Sequence, residues 1–448
     1  MKLFGTDGVR GEANVVLTAE LAYQLGRAAA YVLKRDGIPG KENAMVIGKD
    51  TRISGDMLEA SLIAGICSTG VNVYQAGVIP TPGVAVLTRM LNSMAGVVIS
   101  ASHNPYQDNG IKFFSPLGTK LPDEVESAIE AVIADGLKDV PSPSGAEIGR
   151  VIAYPEGAEK YSDFLQRKVD GDFGGLRVVA DCANGAASFI APKLLRSLGA
   201  DLTAISCRPD GININNNCGS THLEQLQKAV QEQQADLGIA YDGDADRLLA
   251  VDQNGRVVDG DRLLLIFGSY LEKQGLLAEN TVVITVMSNM GLKIALKEKG
   301  IKTLETKVGD RYVIEGMKES GAVLGGEQSG HIVFGLDNTT GDGILSSLKL
   351  LQIVKQSGKT LAELADEMEQ YPQILINVRV KDKNGWEEKA EIRQAIETAQ
   401  AELADTGRIL VRASGTENLL RVMVEGKQQE QIERLANQIA DVVKAVMG

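Results

Sequence analysis

Three aspartates at alternate positions carry the clearest chemical signal in this sequence of 448 residues. Asp242, Asp244 and Asp246 follow an apolar segment and are separated only by glycine and alanine. Because alternate side chains of an extended segment point to the same side, the carboxylates would converge and repel one another unless a cation lay among them. All-oxygen ligation with few protein ligands favours one Mg²⁺ over Ca²⁺. An EF-hand is excluded, since Arg247 and Gln253 occupy its turn and bidentate positions. An exposed acidic loop without metal is the weaker alternative.

A serine in a second polar loop is the candidate for covalent chemistry. Ser102 stands between Ala101 and His103, and no G-x-S-x-G elbow surrounds it, which argues against a hydrolase. For an isolated serine, a turn hydroxyl bonded to its own backbone would be favoured. A phosphorylated Ser102, however, would supply oxygen ligands to Mg²⁺ and complete the site that three aspartates leave open. Lys112 could neutralise the same phosphate, and His103 is as suited to a structural role as to a catalytic one.

A phosphate-binding pattern lies near the C-terminal end of the sequence. Arg412 and Arg421 flank Ser414, Gly415 and Thr416. Arginine grips phosphate bidentately, hydroxyl groups donate further hydrogen bonds, and glycine lets backbone N–H groups approach the anion. Two arginines so close together in a chain of net charge −13 favour an anion site over an ordinary turn.

The elements that must position these residues follow a repeated pattern. Short apolar runs alternate with amphipathic segments three times, each time as strand, helix, strand, helix, strand, which is typical of βαβ units. The predicted elements are 44–47, 56–68, 72–78, 84–91 and 96–100, then 177–180, 187–198, 202–206, 223–233 and 237–241, then 282–286, 292–299, 302–306, 312–320 and 322–324. Polar loops beginning at Ser100, Asp242 and Gly325 follow the third strand of each repeat. Ligands of open α/β sheets bind beyond the carboxyl ends of strands, so the three loops are expected to face one cleft.

The last part of the chain differs in kind. Strands are predicted at 374–380, 409–411 and 419–424, with helices at 387–403 and 430–447. We therefore predict an α/β protein of three consecutive βαβαβ-type mixed-sheet domains, followed by a smaller α+β C-terminal domain, arranged around a central cleft. The predicted boundaries are 1–153, 154–252, 253–368 and 369–448. The third boundary follows from the Tyr-Pro pair at 371–372, and the second from the turn signal Asp-Gln-Asn-Gly at 252–255.

Composition excludes several classes of protein. The charge of −13 argues against a nucleic-acid partner, which would demand a basic face. The apolar stretches fall short of the ~20 residues that cross a membrane, and the first residues lack a secretory signal pattern, so a cytoplasmic location without membrane partners is expected. The four cysteines show no C-x-x-C pairing, so neither a zinc site nor a redox motif is indicated. The segment 48–52 lacks the pattern of a nucleotide-binding loop, so no such loop is predicted there.

Taken together, these motifs resemble those of the phosphohexomutase superfamily. Residues 4–11 are similar to the opening motif of that family, 100–105 to its phosphoserine loop, 242–247 to its metal loop, 326–331 to its sugar loop and 412–421 to its phosphate loop. The resemblance runs from the first residues to the last helix. Four such loops in the family's order make a strong signal, although each alone is moderate.

The resemblance implies a role for each candidate residue. Ser102 would be the phosphorylated carrier and would join the three aspartates as a ligand of one Mg²⁺ per subunit. The implied catalytic residues are Ser102, Lys112, Arg247 and His331, with Arg247 and His331 as candidates for proton transfer. The implied sugar ligands are Glu327 and Ser329, and the implied phosphate ligands are Arg412, Ser414, Gly415, Thr416 and Arg421. The phosphate loop departs from the family at Asn418, where proline is usual, so altered loop stiffness is expected.

The family's branch that acts on glucosamine phosphate is the closest in these motifs, on residues 309–313, Gln328, 181–186 and 218–222. The implied reaction interconverts glucosamine 6-phosphate and glucosamine 1-phosphate through a 1,6-bisphosphate, on the route to UDP-N-acetylglucosamine and the cell wall. A phosphomannomutase or phosphoglucomutase with the same residues is the alternative enzyme. A non-catalytic sugar-phosphate sensor is a further alternative, but it would not need Ser102 and the aspartates together. The resemblance also implies a homodimer formed through the first domain.

Overall fold

The computed structural model describes residues 2–5, 7–36, 39–414 and 418–448. Within these residues the strands form four sheets. The chain divides into two compact units, the first made of Met1–Met287 and Gly300–Asp366 and the second of Ser288–Lys299 and Glu367–Gly448. The first unit contains three sheets of related topology, and the second contains the sheet of the C-terminal domain.

The first sheet has the strand order β1-β5-β4-β2-β3-β6. Its elements are β1 (Val9–Glu12), α1 (Ala19–Arg35), β2 (Glu42–Lys49), α2 (Ser54–Cys67), β3 (Asn72–Val78), α3 (Thr81–Met90), β4 (Ser93–Ile99), β5 (Asp108–Phe114), α4 (Asp123–Ala134) and β6 (Val151–Ala153), followed by α5 (Gly157–Gln166). Strands β3 and β4 lie parallel to β2, whereas β5 runs antiparallel to β4. All seven residues of β4 are buried, as expected for a strand with helices on both sheet faces.

The second and third sheets repeat this arrangement. The second has the order β11-β10-β9-β7-β8 and the third the order β13-β12-β14-β15. Their elements are β7 (Arg177–Asp181), α6 (Ala191–Ser197), β8 (Asp201–Ile205), α7 (Glu224–Glu232), β9 (Leu237–Tyr241), β10 (Leu248–Asp252), β11 (Val257–Val258), α8 (Gly260–Lys273), β12 (Thr281–Thr285), α9 (Met290–Glu298), β13 (Lys302–Thr306), α10 (Asp310–Ser320), β14 (Leu324–Gly326), β15 (Ile332–Phe334), α11 (Gly343–Ser357) and α12 (Leu361–Ala365). In each, two strands flank a parallel central strand, and the third strand in sequence then turns back into an antiparallel one.

The C-terminal domain is an α+β unit with the strand order β16-β18-β17. Its elements are β16 (Gln373–Arg379), α13 (Ala390–Leu403), β17 (Gly407–Ala413), β18 (Leu419–Gly426) and α14 (Gln429–Met447). The strands are antiparallel, and one apolar face packs on the helices through residues such as Val422, Val424 and Ile439. Three α/β domains followed by a smaller α+β domain confirm the fold class predicted from the sequence.

Some element predictions needed correction. The helix predicted at 187–198 is a 3₁₀ turn, Ala186–Phe189, followed by α6, because Pro192 belongs in the first turn of a new helix. The Asp-Gln-Asn-Gly turn does join two antiparallel strands, but β11 after it pairs with β10 and stays in the second sheet. The bounds of the four domains remain predictions. None of the helices in the described ranges is long and apolar enough to cross a membrane.

Candidate active site

The three predicted loops occupy equivalent positions in the repeated topology. The loop with Ser102 joins β4 to β5, the loop with Asp242 joins β9 to β10, and the loop with Glu327 joins β14 to β15. Each therefore connects the third parallel strand of its sheet to the antiparallel strand that follows. All three loops belong to the first compact unit.

The aspartates converge as their spacing predicts. Asp242, Asp244 and Asp246 are buried, and a ligand oxygen from each lies within 4.8 Å of the others. Asp242 accepts from the Ser102 hydroxyl at Oδ2 and from the Arg247 amide at Oδ1, and Asp246 Oδ2 lies 3.6 Å from Nδ1 of His331. The Oδ1 atoms of Asp244 and Asp246 are buried and have no hydrogen-bond partner among the described residues.

This arrangement fits a hard divalent cation. Burial raises the pKa of Asp242 well above its usual value, and the neighbouring Asp246 and Asp244 raise it further. A cation among the carboxylates would relieve this repulsion and satisfy the unpaired oxygens, which is what an oxygen-ligated Mg²⁺ site requires. The residues present could therefore hold Mg²⁺.

The remaining oxygen of Asp244 is held by groups from the first sheet domain. Asp244 Oδ2 accepts from Thr81 Oγ1 at 2.6 Å and lies 3.2 Å from Lys112 Nζ. Lys112 also pairs with Asp7 at 3.0 Å. Although burial opposes its charge, Asp244 and Asp7 raise the pKa of Lys112 above its usual value, so the ammonium stays charged. Lys112 is thus a permanent cation beside the aspartates.

Ser102 is placed against the metal loop. Its hydroxyl donates to Asp242 Oδ2 at 2.5 Å, and the residue has a left-handed φ of 53°. Gly243 lies so close to the Ser102 carbonyl that a Cβ at position 243 would overlap it, which explains the glycine between the first two aspartates. The sequence-based pairing of Ser102 with the aspartates is therefore seen in the geometry.

Arg247 and His331 connect the metal loop to the sugar loop. Their backbones form an antiparallel bridge, and the Leu248 amide donates to the Gly330 carbonyl at 3.0 Å. Burial opposes protonation of His331, but the neighbouring Asp246 and Asp310 raise its pKa to about 9. In contrast, the Gly341 amide donates to Nε2 at 3.2 Å, which requires that nitrogen to be unprotonated. The contacts of His331 are therefore opposed: Asp246 and Asp310 favour the protonated ring, whereas the Gly341 amide favours an unprotonated Nε2.

A cavity of about 480 Å³ lies in front of these groups. Its lining includes the predicted residues Ser102, Asp246, Arg247, Glu327, Gln328, Ser329 and His331. Glu327 Oε1 accepts from the Gly309 amide at 2.9 Å, which ties the sugar loop to the segment before α10. The predicted sugar ligands therefore share one cavity with the predicted carrier serine.

Several cavity residues were missed from the sequence. Asp7, Arg10, Asp310 and Arg311 also line the cavity. Lys120 bridges two of them, at 2.6 Å from Asp7 and 2.8 Å from Asp310. Four of these five residues lie in the motif at 4–11 or in the segment 309–313, both of which resemble the family's motifs. No local pattern, however, distinguishes their charged side chains from those of ordinary surface residues.

The predicted phosphate ligands lie in the second compact unit. Arg412 of β17 and Arg421 of β18 are directly opposite each other in the strand register. Like charges in this position repel, and Arg421 Nε is buried with no partner in the described ranges. Burial and the neighbouring Arg421 lower the pKa of Arg412. Ser414 is buried at the end of β17, whereas Gly415 and Thr416 lie outside the described residues. The arginine pair is suited to a shared anion.

The fold and the site together are those expected of a phosphohexomutase. Three sheet domains of related topology bring a buried carboxylate triad, which could hold Mg²⁺, next to Ser102. Family models agree: those for phosphoglucomutase/phosphomannomutase alpha/beta/alpha domains I, II and III match residues 1–139, 159–255 and 259–371, and the one for the C-terminal domain matches 375–442. The chain belongs to this family.

Its relatives point to one branch. The chain is 57% identical over 442 residues to the phosphoglucosamine mutase of Desulforamulus reducens, covering 99% of each chain. It is likewise 57% identical over 446 residues to that of Carboxydothermus hydrogenoformans, again covering 99% of each. A solved structure of Aspergillus fumigatus N-acetylphosphoglucosamine mutase, in complex with GlcNAc-6P and magnesium, shares the fold with a TM-score of 0.69 at 18% identity, covering 100% of this chain and 96% of that one.

The metal assignment can be tested by binding. We expect Asp244→Asn to lower the affinity for Mg²⁺, measured by calorimetry on chelator-treated protein, by at least about tenfold, because it removes a ligand charge but keeps an oxygen for Thr81. Asp236→Asn is the matched control, since Asp236 precedes β9 whereas Asp242 follows it, and it pairs with Arg177 at 3.0 Å. Equal Mg²⁺ affinity in both variants would contradict the assignment.

Proposed function

We propose that the protein interconverts glucosamine 6-phosphate and glucosamine 1-phosphate, with Ser102 as the phosphorylated carrier. The observation that carries this proposal is the Ser102 hydroxyl, which lies 2.5 Å from Asp242 in a buried triad of carboxylates with Lys112 alongside. The full-length identity to phosphoglucosamine mutases supports the same activity and makes the protein an isomerase, an intramolecular phosphotransferase.

In the proposed reaction, phosphorylated Ser102 gives its phosphoryl group to the free 1-hydroxyl of glucosamine 6-phosphate. The P–O bond to Ser102 Oγ breaks, a P–O bond to the sugar oxygen forms, and the hydroxyl proton passes to a nearby base. The 1,6-bisphosphate then turns round and returns its 6-phosphoryl group to Ser102. The P–O bond to the sugar 6-oxygen breaks, a P–O bond to Ser102 Oγ forms, the 6-oxygen takes up a proton, and glucosamine 1-phosphate leaves. Glucosamine 1,6-bisphosphate would therefore be an intermediate and, if it escapes, an activator.

Charge neutralisation and positioning supply the catalysis in such a transfer. Bound Mg²⁺ would neutralise the phosphoryl oxygens as a Lewis acid. Lys112 adds a fixed positive charge at the same place, because its neighbouring carboxylates keep it protonated. Arg247 and His331, which line the cavity, are the proposed groups for proton transfer. Arg412, Ser414, Gly415, Thr416 and Arg421 are proposed to hold the phosphate that is not being transferred.

The cavity chemistry favours an amino sugar. Glu327 and Ser329 are proposed to bind sugar hydroxyls, and Asp310, Glu327 and Gln328 offer oxygen acceptors in the same cavity. A protonated amine at C2 would find carboxylates there, whereas a C2 hydroxyl would form only neutral or singly charged contacts. The homodimer and the cytoplasmic location expected from the sequence remain predictions.

The carrier role of Ser102 predicts a covalent product. Incubation with glucose 1,6-bisphosphate should add the mass of one phosphoryl group to the wild-type chain and none to Ser102→Ala, whose mutase activity should fall by several orders of magnitude because it lacks the nucleophile. Ser115→Ala is the control, since the Ser115 hydroxyl bonds Thr119 within its own turn at 2.9 Å. Phosphorylation or a tenth of normal turnover in Ser102→Ala would contradict the mechanism.

The arginine pair predicts a binding defect. Arg421→Ala should raise the KM for glucosamine 6-phosphate about 10–150-fold, because a charge-assisted bidentate contact contributes roughly 1.5–3 kcal/mol. Arg393→Ala is the control. It removes an exposed arginine from α13, which packs on the sheet face opposite to the side chain of Arg421, and should leave KM unchanged. Steady-state kinetics of both variants test the role, and an unaltered KM and kcat in Arg421→Ala would place Arg421 outside the substrate's reach.

Substrate preference tests the branch. We expect glucosamine 6-phosphate to exceed glucose 6-phosphate in kcat/KM by only about tenfold, because the two differ at one group and a charge-assisted bond exceeds a neutral one by about 1–1.5 kcal/mol. Both sugars and mannose 6-phosphate should be assayed on one phosphorylated preparation. A higher kcat/KM for glucose or mannose 6-phosphate would favour the alternative enzyme while leaving the Ser102 mechanism intact.

A further inference from the structure

The backbone that carries Ser102 is held by a buried arginine outside the cavity lining. Arg52, which is 2% exposed, donates from Nη2 to the carbonyls of Ser102 and Asn104, each at 2.9 Å, and from Nη1 to the carbonyl of Pro105 at 2.5 Å. One guanidinium therefore binds three carbonyl groups of a single loop. Its planar, multiply donating head makes this possible, whereas a lysine could not reproduce the geometry.

The N–H group of Ser102 is linked to the same arginine through two further side chains. Asp50 accepts from Arg52 Nε at 2.9 Å and from the Ser100 hydroxyl at 2.6 Å. The Ser100 hydroxyl in turn accepts from the Ser102 amide at 2.9 Å. The N–H and the C=O of Ser102 are thus both anchored to one buried Asp–Arg pair at the end of β2.

Asn215, from the second sheet domain, binds the same loop, and we call Arg52 and Asn215 together the clamp. Asn215 Nδ2 donates to the Ser102 carbonyl at 2.8 Å and to the Asn104 carbonyl at 2.9 Å. The same two carbonyls therefore accept from Arg52 on the first domain and from Asn215 on the second. The Ser102 loop is fixed between the two domains whose side chains form the carboxylate site.

The clamp has a conformational task. Ser102 has a φ of 53°, a region that residues other than glycine rarely adopt. In this conformation the carbonyl points to Arg52 and Asn215, and the hydroxyl points to Asp242. Release of the carbonyl would let the residue relax to negative φ and move its hydroxyl away from the aspartates.

We infer that Arg52 and Asn215 are positioning residues for phosphoryl transfer, fixing the Ser102 loop so that the serine oxygen faces the carboxylate site. The inference rests on the proposed carrier role of Ser102. Neither residue lines the cavity, so their loss should impair transfer to and from Ser102 without weakening substrate binding.

The test uses Arg52→Lys and Asn215→Gly in the full chain. Lysine keeps the charge beside Asp50 but cannot bind three carbonyls, and glycine adopts the φ of 56° at position 215 without strain. We expect kcat to fall roughly 10–100-fold, since small misplacements of a reacting group have effects of that size. The rate at which glucose 1,6-bisphosphate phosphorylates Ser102, followed by intact mass, should fall in parallel, while the KM for glucosamine 6-phosphate stays within about twofold.

Two further measurements separate positioning from general stability. Arg27→Lys is the matched control, because Arg27 also binds carbonyl oxygens, those of Val140 and Pro141, but away from the cavity. It should keep wild-type kcat even if its unfolding midpoint falls. In Arg52→Ala, added guanidinium ions at low concentration should restore part of the phosphorylation rate.

Unchanged kcat and phosphorylation rate in the folded variants, or a rise in KM alone, would overturn the inference. If Arg52→Lys does not fold, Asn215→Gly decides the question by itself. Ser102→Ala distinguishes a failure of the proposed function from a failure of this inference. An active Ser102→Ala enzyme would refute the proposed function and this inference together, whereas an inactive one beside normal positioning variants would refute this inference alone.

Discussion

The repulsion among three buried carboxylates is the constraint on which the rest of the site depends. Removing Asp242, Asp244 and Asp246 from water costs several kcal/mol for each charge unless partners compensate. Compensating groups come from the two neighbouring sheet domains: Thr81 and Lys112 from the first and His331 from the third. The same charges that would bind a cation therefore also hold the loops of three domains together.

The repeated topology explains how distant residues meet at this point. Each of the three sheets in the first unit returns through an antiparallel strand directly after its third parallel strand, so each contributes one short loop at the equivalent edge. Close approach of the loops requires glycines. A Cβ at Gly243 would overlap the Ser102 carbonyl, and one at Gly330 would overlap the Leu248 carbonyl. The site is therefore specified by backbone approach as much as by charged side chains.

Much of this was predictable where the signal is local. The aspartate spacing and the apolar strands predicted the metal loop and the three repeats, because both depend on neighbours in sequence. The amphipathic helices α1, α8 and α11 and the returning strands β5, β10 and β15 are absent from the predicted elements. Contacts such as Lys120 with Asp310 and Asn215 with Ser102 join residues 190 and 113 positions apart, and no local pattern encodes them. Arg52 belongs to the segment 48–52, whose sequence pattern gives no indication of contacts with the distant carbonyl groups of the Ser102 loop.

Charge balance in the cavity bears on how a bisphosphate could turn round. The cavity lining contains four carboxylates, those of Asp7, Asp246, Asp310 and Glu327, and three arginines, Arg10, Arg247 and Arg311. The arginine charges are therefore matched by carboxylates in the same lining. A strongly positive cavity would bind every phosphorylated species tightly, and uniform binding of that kind does not speed the chemical step. With balanced walls in the cavity, the tight contacts of the proposed reaction fall on the two phosphates: the reacting phosphoryl group beside Lys112, and the second phosphate that Arg412 and Arg421 are proposed to hold. The sugar between these two positions would then meet walls without a large net charge, so the cavity itself would not oppose the turn of the intermediate.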